Sequence, residues 1–388
     1  MPYATSHGTG NNAESRNLNS MAHLLVALGG GGDAIAAVAV AGILGLPQPL
    51  AILTYSWDRL LVDPVPGPRT SAEFENLHTH ANGAVEILPE TRSVPPANSL
   101  LPLLAADLPA RLFLLDPVRG AVEAATHLAR VAELVGAEHL YAVDVGGDAL
   151  TFGNDEGLRS PLADQLALAA CIRAAIPTTI IVAGLGLDGE LDARDLAARI
   201  HAAGGSRLGG IDKQALAPAR KALSWHPSEA TGLLAAAADG YRGKVEIRDA
   251  AAQVTITERS VDVYGVALDA IEGLLPAAHL TQTSSLTVAS RIVERETGIS
   301  ELTYESAKAF QPRHPSANPA ASDLPQIDLA LRGAKDRGAD FTTVRRLAEQ
   351  LHLNTFSEYE ALRHLIDAER PGQRAGCLVA TVPHPTRE

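Results

Sequence analysis

The stretch YAVDVGGDALTFGNDEGLRSPLADQ (residues 141–165) places Asp144, Asp148, Asp155 and Glu156 within thirteen residues, with Gly146, Gly147, Gly153 and Gly157 among them. Carboxylates so crowded repel one another unless a cation, an amine or a set of sugar hydroxyls stands between them. Held together, they also push one another's pKa values apart, which gives one member general-acid or general-base character. Two other loops repeat the pattern: ALGGGGDAIAAV carries Gly29, Gly30, Gly31, Gly32 and Asp33, and AGLGLDGELDARD carries Gly184, Gly186, Asp188, Gly189, Glu190 and Asp192. Asp144, Asp148 and Glu156 are therefore the candidate catalytic residues, with Asp33 facing them across a cleft. Asp144 and Asp148 are also the candidate ligands of Mg²⁺ or another divalent cation. The candidate ligand-binding residues are the four glycines 29–32, Asp33, Asp58, Gly146, Gly147, Arg159, Ser160, Gly186, Asp188 and Glu190.

Each loop also has a plainer explanation. Asp33 can simply N-cap the helix that follows it, and Asp188 and Glu190 can simply favour a helix N-terminus. Arg159 either neutralises an anionic group or pairs with a neighbouring acid. The first loop also meets a dinucleotide template: Gly29, Gly31 and Ala34 fit G-x-G-x-x-A, and Asp58 ends the second strand where a ribose-binding acid would stand. Asp33 weakens that template, since it puts a carboxylate where the pyrophosphate should lie. NAD is thus the less favoured cofactor. The sequence contains no H-E-x-x-H, P-loop lysine motif, G-x-S-x-G elbow or zinc-spaced cysteine set. His78 and His80, in NLHTHANG, read as a surface pair.

What must position these loops is a series of buried strands. The runs at 23–28, 50–56, 111–116, 139–145 and 178–184 are apolar without polar alternation, as in parallel strands covered on both faces. Helix-period segments lie between them. The rhythm predicts an α/β fold, a Rossmann-like, doubly wound and mostly parallel sheet. Ligands of such sheets bind at the carboxyl ends of the strands, where all three acidic loops fall. A proline-rich excursion at 59–98 reads as a site-covering loop, residues 244–266 as antiparallel or edge strands, and the segments after 284 as amphipathic helices. The expected organisation is a disordered tail at 1–20, an α/β ligand-binding domain at 21–310, a Pro/Ser/Ala/Asn linker at 311–325, a helical extension at 326–370 and a tail at 371–388.

Composition narrows the partners. The chain has 388 residues and a formal charge of −13, with no basic run, which disfavours nucleic acid. Its longest apolar stretch, AIAAVAVAGILGLP, is too short to cross a bilayer, so no membrane role is expected. Two cysteines without metal spacing and a polar N-terminal stretch suit a reducing cytoplasm. The expected partner is a small-molecule metabolite, with the C-terminal helices available for partner contact or homo-oligomerisation.

GGGGD after the first strand, DVGGD, GNDEGLRSPLAD and GLGLDGEL, in that order, resemble an archaeal and actinobacterial family, domain of unknown function 1152. The resemblance spans residues 20–310, and the matching positions are Gly29 to Asp33, Asp144, Gly146, Gly147, Asp148, Gly153, Glu156, Ser160, Pro161 and Asp188 to Glu190. It implies a shared site and supplies no activity. Three functions compete. The first is an enzyme of hydrolysis or group transfer acting on a phosphorylated, nucleotide-like or sugar-bearing metabolite, with possible help from a divalent ion. The second is an NAD(P)-dependent oxidoreductase built on the first βαβ unit. The third is a non-catalytic ligand-binding or interaction protein.

Overall fold

Five of the apolar runs form the parallel strands that the sequence predicts: His23–Ala27, Leu50–Thr54, Ala110–Leu114, His139–Val145 and Thr178–Ala183. The computed structural model describes residues 23–248, 252–310 and 318–382. Numbered by chain order, these strands lie side by side as 3-2-1-4-5, the arrangement of a dinucleotide-fold sheet. Val26 stands opposite Leu53 on one side and Ala142 on the other. Successive side chains point to opposite faces, so Leu24 and Val26 enter one apolar core while Leu25 and Ala27 enter the other. That is why no polar alternation shows in these runs.

Antiparallel strands extend the sheet at both edges to nine in all. Asp262–Ala267 and Ser206–Gly210 lie beyond Thr178–Ala183, while Val85–Ile87 and His78–Thr79 lie beyond Ala110–Leu114. Helix Gly31–Leu44 covers one face, together with Glu229–Ala238, and helices Gly120–Val135 and Pro161–Ala174 cover the other. Gly31–Leu44 and Pro161–Ala174 have almost no polar side, because each is walled in by other elements. The first ends at Gly45, whose left-handed φ of 65° lets its N–H reach back to Ala41 and Gly42.

A second, five-stranded sheet runs Gln253–Ile256, Gly243–Glu246, Phe341–Thr343, Leu378–Ala380, Arg374–Ala375. The segment expected as a detached helical extension with a tail after 370 thus supplies three of these strands. Phe341–Thr343 pairs in parallel with Gly243–Glu246, and Phe341, Leu378 and Ala380 belong to the main apolar core. The pattern for 326–370 showed its amphipathic helices, and Leu324–Asp336, Val344–Gln350 and Phe356–Glu369 do pack around Ile327, Leu347 and Leu362. Its strands are too short, two or three residues each, to show a period. Of the expected linker, residues 318–325 are described and already enter the first of these helices, while 311–317 and the tail at 1–20 lie outside the described residues. Among the described residues no helix is long and apolar enough to cross a membrane.

Candidate functional site

The helix after the first strand lies on one face of the sheet and the helix after the fourth strand on the other, so a crevice opens between the carboxyl ends of these two strands. The first and fourth strands deliver their Gly-Asp loops into it. At the end of the first, Gly30 takes a φ of 119° and the chain turns directly into its helix. Asp33 folds back, and its Oδ2 accepts the Gly29 N–H at 2.6 Å. In the fourth, Asp144 is the next-to-last strand residue, and Gly146 and Gly147 turn the chain with φ of 122° and 117°, which carries Asp148 into a short 3₁₀ turn. The loop after Thr178–Ala183 brings Asp188 and Glu190 to the same rim. The Gly146 carbonyl accepts the Gly186 N–H at 2.6 Å and so ties the two loops together.

Asp33, Asp144 and Asp164 each offer an oxygen within 4.8 Å of the others. Asp144 is 2% exposed and Asp164 4%. Asp148, Asp188 and Glu190 line the same chamber, which holds about 140 Å³ of space. None of Asp33, Asp144, Asp148, Asp164 or Asp188 forms an ion pair among the described residues. Burial, followed by their mutual repulsion, drives Asp144, Asp148 and Asp164 well above the ordinary carboxylate range. Burial also lifts Asp33 and Asp188 to about 7, against backbone N–H bonds that pull them down. Asp144 Oδ2, Asp164 Oδ1 and Asp188 Oδ2 are buried without a hydrogen-bond partner among the described residues. Buried acceptors left in that state cost free energy, and a cation or donor in the chamber removes the cost.

The other expected site residues take different places. Glu156, expected as a catalytic residue, is exposed and is not among the residues that line the chamber. Its neighbour Asp155 is pulled the other way: it pairs with Arg199 and accepts from Thr151 Oγ1 at 2.6 Å, which pins the loop and lowers its pKa to about 2. Of the two expected cation ligands, Asp144 belongs to the close triad with Asp33 and Asp164, while Asp148 lines the chamber outside it. Glu190 accepts from Arg159 N at 2.7 Å, Ser160 N at 3.1 Å and Ser160 Oγ at 2.7 Å, so it fixes the start of helix Pro161–Ala174. Arg159 also reaches the Gly189 carbonyl at 3.0 Å and faces a second, outer cavity. Asp58 lies beyond the strand end at Thr54; its carboxylate borders the chamber and accepts the Leu100 N–H at 3.2 Å. Gly29, Gly31 and Gly32 border the chamber directly. Gly146 and Gly147 serve packing: a Cβ on the first would strike Asp188, and one on the second Leu196. His80 bonds to Glu86 at 2.7 Å beside Arg111, on the far sheet edge.

Three residues escaped the sequence reading. Asp164 sits inside an eleven-residue buried run, Pro161 to Cys171, and an acid in such an apolar helix was the one available signal. His226 and Arg345 border the chamber from distant parts of the chain. Arg59 bridges Glu301 at 2.7 Å and Glu305 at 2.8 Å, anchoring helix Glu301–Ala309 beside the opening.

A family model described as "Protein of unknown function (DUF1152)" matches residues 24–309, which includes every acid of the chamber. The chain belongs to the DUF1152 family. No curated protein and no solved structure matches it. In this DUF1152 protein the spaced motifs GGGGD, DVGGD and GLGLDGEL are three corners of one acidic chamber, and the aspartate of SPLAD is its fourth.

Proposed function

We propose that this protein is an enzyme of hydrolysis or group transfer acting on a small polar metabolite, phosphorylated, nucleotide-like or sugar-bearing. Asp33, Asp144 and Asp164 would hold a divalent cation such as Mg²⁺, which would supply positive charge to a reacting oxygen. The observation that carries the reading is a buried oxygen on each of Asp144 and Asp164 that has no hydrogen-bond partner among the described residues, in a close triad with Asp33. A hard cation takes oxygen ligands of this kind and keeps some of its waters for substrate. Asp188, lifted to about 7 by burial and then by Glu190, suits proton transfer at neutral pH, and Asp148, raised well above the ordinary carboxylate range by burial and neighbouring acids, lines the same chamber. In a hydrolytic step the ionised one takes a proton from the attacking water as its oxygen bonds to the electrophilic centre, and a protonated neighbour gives its proton to the leaving group.

Against the nicotinamide alternative, the Gly29 N–H is already taken by the Asp33 carboxylate, so the glycine loop before the helix keeps fewer free donors than a dinucleotide's diphosphate uses. The test is Mn²⁺ binding followed by electron paramagnetic resonance, with thermal shift against Mg²⁺ and a panel of sugar phosphates, nucleotides and sugars. The expected result is a bound ion and a Tm rise in the native protein, both lost in Asp144→Asn. An NAD(H)-dependent shift with no metal binding overturns the proposal.

A further inference from the structure

Donors without acceptors gather on the rim of the acidic chamber. His226 Nδ1 accepts the Ser228 N–H at 3.2 Å, which leaves the proton of the neutral ring on Nε2. Burial, then Arg345, push this imidazole down to about 3, so it is uncharged at neutral pH. Its Nε2 is buried and has no partner among the described residues. It lies against the start of helix Gly31–Leu44, where a Cβ built on Gly31 would stand 3.1 Å away. That helix has no side-chain cap, so its first-turn N–H groups and the positive end of its dipole meet the same space. Arg345 borders the same chamber and makes no hydrogen bond or ion pair among the described residues. Burial and the nearby Arg248 lower its guanidinium to about 10, which leaves it charged at neutral pH.

A guanidinium fork, an imidazole N–H and an uncapped helix start share one complement: an anion with several oxygens. A carboxylate offers two oxygens and one charge. A phosphoryl group offers three and up to two charges, and it can bridge from arginine to a metal on the neighbouring aspartates. We infer that this rim is a phosphoryl-binding site, in which Arg345, His226 Nε2–H and the first turn of helix Gly31–Leu44 hold the phosphate of a phosphorylated metabolite. The inference rests on reading the chamber as a ligand site, and it narrows the substrate class. The remainder of the molecule has room outside: a second cavity of about 520 Å³ adjoins the chamber through Arg59, Ser160, Glu190, Arg248 and Arg345. Arg345 lies beyond the residues matched by the family model, 24–309, so the C-terminal segment supplies part of the recognition itself.

The test is calorimetric titration of the full-length protein with inorganic phosphate and with pyrophosphate, with and without Mg²⁺, alongside Mn²⁺ binding in phosphate-free buffer. The native protein is expected to bind at least one of the two anions. Arg345→Ala weakens that binding by about tenfold or more, Arg345→Lys by less, and neither changes Mn²⁺ affinity. Melting curves establish that the variants fold, and Arg345→Gln serves if Arg345→Ala does not. Native protein that binds neither anion, or Arg345→Ala that binds as well as native, overturns the phosphoryl site. Native protein that binds Mn²⁺ but neither anion sinks this inference alone. Failure of Mn²⁺ to bind sinks the metal reading and leaves the anion site to stand on the titration.

Discussion

Asp144 and Asp164 each keep a buried oxygen with no hydrogen-bond partner among the described residues, and burial of such carboxyls sets the pH dependence of stability. A carboxyl whose folded pKa is raised holds its proton longer in the folded state than in the unfolded one. Folding stability therefore falls as pH climbs from the unfolded carboxylate value through the folded one. Asp58, at about 6, and Asp33 and Asp188, at about 7, place that fall in the acid-to-neutral range, and the three more strongly raised aspartates carry it further up. In chelator, the Tm is expected to drop between about pH 5 and about pH 8, and Mg²⁺ should restore most of it at the upper end and little at the lower. Asp155 has the opposite sign. Arg199 holds it down to about 2, so its contribution is complete above the ordinary aspartate pKa and is lost only in strong acid. A Tm that stays flat across that range in chelator contradicts the account. At this scale the sequence showed the acids that sit beside glycines at strand ends, because glycine plus aspartate there leaves a visible pattern. Asp164, His226 and Arg345 carry no such mark: one is hidden in an apolar helix and the others come from remote segments.

Helices and loops place those side chains through a few close approaches. Gly146 holds a φ of 122° against Asp188, and both the left-handed backbone and the contact exclude a side chain. Gly146→Ala is expected to destabilise by about 2–3 kcal/mol in urea unfolding, from backbone strain and displaced packing. Gly42 gives the contrast. It lies exposed inside helix Gly31–Leu44 with nothing near its missing Cβ, so Gly42→Ala should stabilise by about 0.5–1 kcal/mol. Equal effects of the two changes would refute the packing role of Gly146. The parallel strands and their order were legible because strands covered on both faces leave unbroken apolar runs. The second strand ends at Thr54, sooner than its apolar run suggests, since Tyr55 and Trp57 are buried by side-chain packing outside the ladder.

Across the whole molecule, the last sixty residues are bound to the rest by charge as well as by strands. Glu246, fully buried, accepts from Arg337 Nη2 at 2.8 Å and from Arg346 Nε at 3.1 Å, and both arginines come from the C-terminal segment. Thr343 Oγ1 likewise donates to buried Glu229. Removing everything after residue 310 takes both arginines from Glu246, a loss of about 3–5 kcal/mol if that carboxylate stays buried, while Glu229 keeps Arg248. The truncated chain is expected to be insoluble or to melt well below the full-length protein, as read by circular dichroism. A truncated protein with native Tm refutes this. The linker-like composition of 311–325 hid the connection, because strand pairing across so long a gap has no local signature. The same closure dictates an order of events during synthesis. Strand Gly243–Glu246 leaves the ribosome with one neighbour, Gln253–Ile256, and waits for Phe341–Thr343 to arrive almost a hundred residues later. Until that segment is translated, the nascent chain carries an unpaired sheet edge and a chamber without Arg345, so the same late stretch of chain closes the second sheet and completes the chamber.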